Sequence, residues 1–207
     1  MLFDVDGVLL DSAAAHRRVW DAWSAARGLD PEKVWELTFG RRREDTVRDV
    51  AAHLDPAAER RSLDRLLAQE MDDIQPVEGA RELLESLSGS PWAIVTSGAR
   101  DFVEARFAAT GLALPAVQVY GSDVHQAKPA PDCFALAASR LGVPASECLV
   151  VEDAPAGIQA AVAAGCIAVG LTTTHTEEAL GQTRVCVASL ADVRSLLTGY
   201  GFGGGRS

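Results

Sequence analysis

Lysine is scarce in this sequence, and basic residues as a whole are outnumbered by acids. The 207 residues include 19 lysines and arginines against 29 aspartates and glutamates, which gives a formal net charge of −10 at pH 7. Nucleic acids and anionic membranes are bound by basic patches, so this charge argues against both as partners. A site for an anionic ligand must therefore be made positive locally, by a metal ion, backbone N–H groups or a few placed cations.

Paired cysteines and long apolar runs are also missing. The four cysteines form no C-x-x-C pair and have apolar surroundings, which favours buried, reduced thiols and a reducing compartment for Cys133, Cys148, Cys166 and Cys186. No apolar run approaches the length of about 20 residues that a membrane-spanning helix needs. The chain does not open with the charged and then apolar segments of a secretory signal. We therefore expect a cytoplasmic protein.

What the sequence does contain, in its C-terminal two-thirds, is a regular alternation of short apolar runs with helical patterns. The runs predict buried strands within 92–98, 116–122, 147–153, 166–171 and 184–189. Helices are predicted between them, over 101–110, 131–141, 156–164 and 190–197. This alternation is typical of an α/β protein with a Rossmann-like parallel sheet and helices on both faces. The apolar stretch "FDV" at residues 3–5 adds one more strand.

Residues 12–75 have a different pattern, with helix signals and no strand. Ser12 begins an amphipathic helix that Gly28 ends, and Asp30-Pro31 and Asp55-Pro56 each combine a helix cap with a proline at the first helical position. We expect an all-helical cap domain over 12–75, hinged near Leu10–Asp11 and Gln75–Val77. The remaining predicted parts are a core domain over 1–11 and 76–199 and a disordered tail over 200–207.

Two acids interrupt the first strand, in "FDVDGV" at residues 3–8. Asp4 and Asp6 are two residues apart and share a face of the strand, and Gly7 allows a sharp turn at its carboxyl end. In open α/β sheets, ligands bind at this end of the strands. Glu152 and Asp153 follow a second apolar strand in the same way. Oxygen ligands without a histidine or cysteine cluster favour Mg²⁺ over zinc, so we expect these acids to bind Mg²⁺.

Two further segments suit a phosphate group. "VTSG" at 95–98 ends a third strand with hydroxyls and a glycine turn, which can donate hydrogen bonds to phosphate oxygens. "AKPAP" at 127–131 contains Lys128, one of two lysines in the chain. A lysine placed between apolar and proline residues indicates a positioned charge. Together with the acids, these segments have the chemistry needed for phosphoryl transfer.

The four segments "FDVDGV", "TSG", "KPAPD" and "EDAPAG", in this order and spacing, resemble the haloacid dehalogenase (HAD) superfamily of phosphatases and phosphomutases. The resemblance covers nearly the whole chain, including an insertion where members with a helical C1-type cap have theirs. It is greatest to the glycerol-phosphate and 2-deoxyglucose-6-phosphate phosphatases and to β-phosphoglucomutase. It implies a HAD-like core with a cap, a Mg²⁺ cofactor and a small phosphorylated metabolite as the partner. We also expect the chain to be a monomer.

The resemblance also implies a role for each matching residue. Asp4 is the nucleophile that forms an aspartyl-phosphate, and Asp6 is first the general acid and then the general base. Lys128 balances the charge of Asp4 and the phosphate. The remaining roles are phosphate binding by Thr96, Ser97 and Gly98, and Mg²⁺ binding by Asp4, the Asp6 backbone carbonyl, Asp153 and Glu152, the last through water. From the residues alone, Glu152 could equally be a charge outside the metal's own ligands.

Substrate specificity is expected to come from the cap, where His16, Arg42 and Arg43 are the candidates. Arg42 or Arg43 could reach the substrate, although a solvated basic turn paired with nearby acids explains them equally well. A single histidine on a helix is more often structural. Three readings stay open: a phosphatase of small sugar or polyol phosphates, a mutase of the β-phosphoglucomutase kind, and a catalytically silent binding module. The absence of a lysine in the later half of the cap favours the phosphatase over the mutase.

The nucleophile stands unusually near the beginning of the sequence. Only Met1, Leu2 and Phe3 precede Asp4, so the strand that anchors it is short. Either native residues precede Met1, or this chain holds its nucleophile less firmly than its relatives.

Overall fold

Parallel strands form the centre of the computed structural model, which describes residues 1–199. Its eight short strands are β1 (Leu2–Phe3), β2 (Leu10–Asp11), β3 (Gln75–Pro76), β4 (Ala93–Val95), β5 (Val117–Val119), β6 (Leu149–Glu152), β7 (Ile167–Leu171) and β8 (Val185–Val187). Six of them form one parallel sheet in the order β5-β4-β1-β6-β7-β8. The predicted α/β fold is thereby confirmed, and β1 lies inside the sheet, between β4 and β6.

The sheet has two buried faces at its centre, because β1 and β4 are wholly apolar and buried and β6 is apolar up to Glu152 at its end. Leu2 pairs with Ala93 and Val150, and these side chains belong to one hydrophobic cluster, whereas the next residues along each strand belong to the other. One face is covered by α5 (Ala80–Ser86), α6 (Arg100–Thr110) and α10 (Leu190–Gly199). The opposite face is covered by α7 (Asp132–Leu141), α8 (Pro155–Ala163) and α9 (Glu177–Leu180). Continuous apolar strands require this arrangement.

A helical insertion, residues 12–74, separates β2 from β3. It contains α1 (Ala13–Ala25), α2 (Pro31–Trp35), α3 (Arg43–Val50), α4 (Pro56–Ala68) and a 3-10 turn over Met71–Asp73. These helices pack around a hydrophobic cluster of their own, which includes Trp20, Trp23, Val47, Leu63 and Leu67. The side chains of Asp30 and Asp55 accept hydrogen bonds from Glu32 N and Ala57 N, both at 3.1 Å, as their cap positions predicted.

The two connections to the insertion lie side by side. Leu10 pairs with Pro76 and Asp11 with Gln75, so β2 and β3 form a two-residue antiparallel ladder at the positions where the sequence predicted hinges. The periodicity gave no sign of this ladder, because two residues are too few to show an alternation.

Among residues 1–199, no helix is long and apolar enough to cross a membrane. Cys133, Cys148 and Cys166 are buried and Cys186 is half-buried, which agrees with the predicted apolar surroundings. The predicted tail at 200–207 lies outside the described residues.

Candidate active site

The candidate site lies where β1, β4 and β6 end. Asp4 follows β1, Thr96 follows β4 and Asp153 follows β6, so neighbouring parallel strands bring these three side chains to one edge of the sheet. All three residues are at least 96% buried, with exposures of 4%, 3% and 3%. The structure therefore brings these three side chains together at the carboxyl ends of the strands, where open α/β sheets bind their ligands.

Lys128 provides the positive charge of the cluster. Its Nζ donates hydrogen bonds to Asp4 Oδ1 at 2.6 Å, to Glu152 Oε1 at 2.6 Å and to the Val95 carbonyl at 3.1 Å. The side chains of Lys128, Asp4 and Glu152 are 2%, 6% and 0% exposed, so the ion pairs are shielded from water. A buried ammonium with all three of its donors satisfied is held in one orientation.

These contacts change the proton affinities of the buried groups. Burial raises the pKa of Asp4 to about 7, and the charges of Glu152 and Asp6 add to this effect while Lys128 opposes it. Burial alone would lower the pKa of Lys128, but the nearby charges of Asp4 and Glu152 outweigh it and raise that pKa. Lys128 therefore stays charged, while for Asp4 the effect of burial exceeds the compensation that Lys128 provides.

Glu152 is fully occupied by contacts within the protein. Its Oε1 accepts from Lys128, and its Oε2 accepts from the backbone N–H groups of Asp153 and Ala154, both at 3.0 Å. Gly157, in the first turns of α8, leaves the space for this carboxylate, since a side chain there would overlap it. The geometry thus makes Glu152 a residue that orients Lys128 and the following loop.

Asp153 is held from the other side by the loop after β7. Thr174 Oγ donates to the Asp153 carboxylate and also lies 3.0 Å from the Asp153 carbonyl oxygen, and His175 Nδ1 is 2.9 Å from the same carbonyl. Gly7 adopts a positive φ of 80° and approaches the Asp153 carboxylate so closely that any side chain would overlap it. These contacts place Asp153 beside the turn that carries Asp6.

The acids of the site fit a divalent cation. Carboxylate oxygens of Asp4, Glu152 and Asp153 lie within 4.8 Å of one another, and all are buried. Burial and the charges of Glu152 and Asp4 raise the pKa of Asp153 well above its usual range. Three clustered carboxylates with one lysine leave an excess of negative charge that a cation with oxygen ligands would relieve.

Asp6 points toward the helical insertion. Ser12 Oγ donates to Asp6 Oδ1 at 2.6 Å, and His16 Nε2 lies 3.6 Å from the same oxygen. Burial lowers the pKa of His16, as do the charges of Arg43 and Arg106, whereas Asp6 opposes them. Asp6, Ser12 and His16 therefore form a polar cluster at the junction of the sheet and the insertion.

The loop 96–98 contacts both the site and the insertion. Thr96 Oγ accepts a hydrogen bond from the Gly98 N–H at 3.0 Å, which closes a tight turn. Ser97 Oγ donates to the Gly40 carbonyl at 2.8 Å, so this hydroxyl joins the loop to the insertion. All three loop residues line the cleft between sheet and insertion.

The three candidate residues of the insertion have different surroundings. His16 and Arg43 line the cleft, and Arg43 pairs with Asp64 at 2.8 Å. Arg42 pairs with Asp45 at 2.7 Å, as the alternative of a basic turn paired with nearby acids predicts. Its guanidinium also donates to the carbonyls of Gly121, Val124 and His125 in the core, each at 3.3 Å. Arg42 thus connects the insertion to the loop after β5, and its predicted contact with substrate has no support in this geometry.

Comparison with known proteins identifies the family of the chain. A family model described as haloacid dehalogenase-like hydrolase matches residues 1–165. The chain belongs to this family. The resemblance drawn from the four sequence motifs is thereby confirmed, and the chain is an enzyme of the hydrolase class.

Relatives of this HAD-like hydrolase include named phosphatases. Hexitol phosphatase A of Escherichia coli (strain K12) is 38% identical over 197 residues, which cover 93% of this chain and 91% of that protein. Glycerol-1-phosphate phosphohydrolase 2 of Saccharomyces cerevisiae is 32% identical over 185 residues, or 84% of this chain and 74% of that one. The fold is shared with the crystal structure of β-phosphoglucomutase from Clostridium difficile, with a TM-score of 0.82, 20% identity and 96% coverage of both chains.

Sequence reasoning missed two parts of this HAD-like site. Ser12 was assigned only to the start of a helix, yet its hydroxyl makes no capping bond and binds Asp6 instead. The segment "TTTH" at 172–175, which supports Asp153 and Gly7, was also overlooked. Its position directly after the β7 strand was the available signal, because the carboxyl ends of the strands form the site.

Proposed function

We propose that this HAD-like hydrolase is a Mg²⁺-dependent phosphatase, which hydrolyses a small sugar or polyol phosphate through an aspartyl-phosphate on Asp4. Its membership of the family and the phosphatases among its relatives support a phosphoric monoester hydrolase acting on this class of substrate. The single observation that carries the proposal is the meeting of Asp4, Lys128 and Asp153 at the carboxyl end of the central strand, with Asp6 beside them.

In the first step, an Asp4 carboxylate oxygen attacks the phosphorus atom of the substrate. The new bond joins this oxygen to phosphorus, and the bond between phosphorus and the substrate oxygen breaks. Asp6 gives its proton to that departing oxygen, so the sugar or polyol leaves as a neutral alcohol. Lys128, 2.6 Å from Asp4 Oδ1, orients the nucleophile and offsets the charge of the incoming phosphate.

In the second step, water attacks the phosphorus of the aspartyl-phosphate. Asp6, now a carboxylate, accepts a proton from that water, and the bond between Asp4 and phosphorus breaks to release inorganic phosphate. The Ser12 hydroxyl holds Asp6 in place for both transfers, and His16 Nε2 lies nearby, 3.6 Å from the same oxygen. Phosphate binding is assigned to the hydroxyl and backbone N–H groups of Thr96, Ser97 and Gly98. To take part, the Ser97 hydroxyl would leave the Gly40 carbonyl and the Gly98 N–H would leave Thr96 Oγ.

The residues that would hold Mg²⁺ are Asp4, the backbone carbonyl of Asp6, and Asp153, with Glu152 acting through the groups it orients. The chemistry that the ion supplies when bound is the neutralisation of negative charge on the phosphoryl group. The carboxylate cluster and its raised pKa values support such an ion.

We propose further that residues 12–75 work as a cap domain whose opening admits substrate and whose closure excludes water. The separate hydrophobic cluster of the insertion and its two adjacent connections support this role. A monomeric state, a cytoplasmic location and the lack of nucleic-acid and membrane partners remain predictions from the sequence.

Phosphate release tests the proposed function. Purified protein with Mg²⁺ is incubated with hexose, pentose and polyol phosphates, and inorganic phosphate is measured for the wild type and for Asp4→Asn. We expect release from at least one of these compounds by the wild type, and release at least ~10³-fold slower by the variant. Isomerisation of glucose 1-phosphate without phosphate release would support the mutase instead, and folded protein inactive on every phosphoester would support a silent binding module.

A further inference from the structure

The basic side chains that line the cleft are all matched by carboxylates of the chain itself. Among the described residues, three basic side chains line it. His16 faces Asp6 at 3.6 Å, Arg41 pairs with Asp49, and Arg43 pairs with Asp64. The insertion therefore presents guanidinium groups to the cleft without presenting a net positive charge.

The pair of Arg43 and Asp64 is the better enclosed of the two arginine pairs. Arg43 Nη1 donates to Asp64 Oδ1 at 2.8 Å, and the two side chains are 13% and 34% exposed. The other carboxylate oxygen, Asp64 Oδ2, lies 3.6 Å from Arg60 Nη1, so Asp64 is shared between two arginines, of which Arg43 is the nearer. The guanidinium also stacks over the Phe102 ring, with 5.7 Å between its central carbon and the ring centroid. Arg43 is thus held between helix α4 and the core, with one nitrogen fixed by Asp64 and its other donors free to meet neutral groups.

The charge across the cleft makes this pairing important for substrate choice. The sheet side contributes Asp4, Asp6 and Asp153 to the lining, and its one lysine is already shared between two carboxylates. A phosphoryl group at Asp4 has Lys128 and a bound cation to offset its charge. A second phosphate at the insertion end would meet arginines whose charge is already neutralised by carboxylates. The free-energy cost of desolvating that phosphate would therefore not be offset.

The same end of the cleft suits hydroxyl and C–H groups. Trp20, Trp35 and Phe39 line it together with Thr38. Aromatic faces pack against the C–H side of a sugar or polyol, and paired arginines still carry N–H donors for hydroxyl oxygens. This lining matches a substrate whose far end is uncharged.

We propose that Asp64 is a specificity-determining residue, which neutralises Arg43 and so restricts the enzyme to monophosphates with an uncharged, hydroxyl-bearing far end. The inference rests on the proposed phosphatase function and narrows its substrate class. It also assigns Arg43 to hydroxyl recognition in the wild type. Once released from Asp64, its planar guanidinium would be free to bind a second phosphate through two parallel hydrogen bonds.

The test compares kcat/KM for fructose 1-phosphate and fructose 1,6-bisphosphate in the wild type and in Asp64→Asn. We expect the wild type to prefer the monophosphate and the variant to shift the ratio toward the bisphosphate about tenfold. Glu104→Gln is the matched control, because Glu104 pairs with Arg100 at 3.5 Å and neither residue lines the cleft. This control should leave the ratio unchanged, and adding Arg43→Gln to Asp64→Asn should remove the shift.

Binding to the Asp4→Asn background, measured by calorimetry with the same two compounds, keeps the inference testable without turnover. The inference would be overturned if the protein with Asp64 intact bound the bisphosphate more tightly than the monophosphate. It would also be overturned if Asp64→Asn, in a folded variant, left the ratio of the two Kd values unchanged. If the wild type released phosphate from no compound, the proposed function would fail, and the calorimetric ratio would still decide whether Asp64 excludes a second phosphate.

Discussion

Replacing Lys128 with methionine removes the positive charge of the site while keeping a side chain of similar length. In the wild type the Nζ atom lies 2.6 Å from both Asp4 Oδ1 and Glu152 Oε1, and none of these three side chains is more than 6% exposed. The variant would leave these two acids and Asp153 clustered in the interior without the lysine that now offsets their charge.

The expected loss of stability follows from this burial. Removing one partner of a buried ion pair costs about 3–5 kcal/mol in free energy of unfolding, because the remaining charge has no compensation. Lys33 provides a matched control, since it is the other lysine of the chain, its side chain is 83% exposed and its contact with Asp30 is 3.8 Å long. We expect Lys33→Met to change stability by less than about 1 kcal/mol.

The loss of unfolding free energy in Lys128→Met should also depend on pH. The folded state raises the pKa of Asp4 from 3.8 to about 7, so between these values it binds the proton more tightly than the unfolded chain does, and this contribution to stability is lost as the pH rises through 7. Because Lys128 lowers the pKa values of Asp4 and Asp153, these two acids would hold their protons to still higher pH in the folded variant. The Lys128→Met variant should therefore lose little stability at about pH 5 and most at about pH 8.

Guanidinium chloride unfolding of wild type, Lys128→Met and Lys33→Met at about pH 5 and about pH 8, without divalent cations, measures these differences. The reasoning would be refuted if Lys128→Met were as stable as Lys33→Met at the higher pH. It would also be refuted if the deficit of Lys128→Met were independent of pH, because buried carboxylates would then not be its cause.

Three other changes have defined outcomes. Gly157→Ala puts a methyl group into the space of the Glu152 carboxylate. We expect denaturation to show a loss of at least about 2 kcal/mol in unfolding free energy and phosphate release to show a loss of turnover. A variant as stable as the wild type would contradict the described packing of Gly157 against Glu152. Arg42→Ala removes the donors that join the insertion to the loop 121–125, so the insertion should close less firmly over substrate, and we expect KM to rise about tenfold with a smaller change in kcat. The exposed Arg65→Ala on the same insertion should change neither. Chelation of divalent cations should abolish phosphate release, and added Mg²⁺ should restore it; turnover in the chelator would exclude the proposed cofactor role.

The sequence predicted the sheet well because its strands are buried on both faces. The central runs have three or four consecutive apolar residues, such as 148–151 between Glu147 and Glu152, which distinguishes them from the amphipathic helices around them. The same rule placed Asp4, Thr96 and Asp153 together, since the carboxyl ends of neighbouring parallel strands share one edge.

The contacts between the insertion and the core could not be predicted in this way. Arg42 and Arg43 are adjacent in a basic turn and look equivalent in the sequence, but one binds carbonyls of the core and the other pairs with Asp64, 21 residues away. The hydroxyl of Ser12 likewise has a local explanation as a helix cap, which its tertiary contact with Asp6 overrides. The contact partners of these side chains depend on how separate helices pack against each other, and the hydrophobic periodicity of the sequence carries no information about that packing.

Phosphate release by the Asp4→Asn variant, at equal amounts of folded protein and with Mg²⁺ present, tests the central claim most directly. The substitution keeps the shape of the side chain and removes the attacking carboxylate. We expect a loss of at least ~10³-fold in kcat on the substrate that the wild type hydrolyses best. Turnover close to that of the wild type would show that Asp4 does not carry the phosphoryl group.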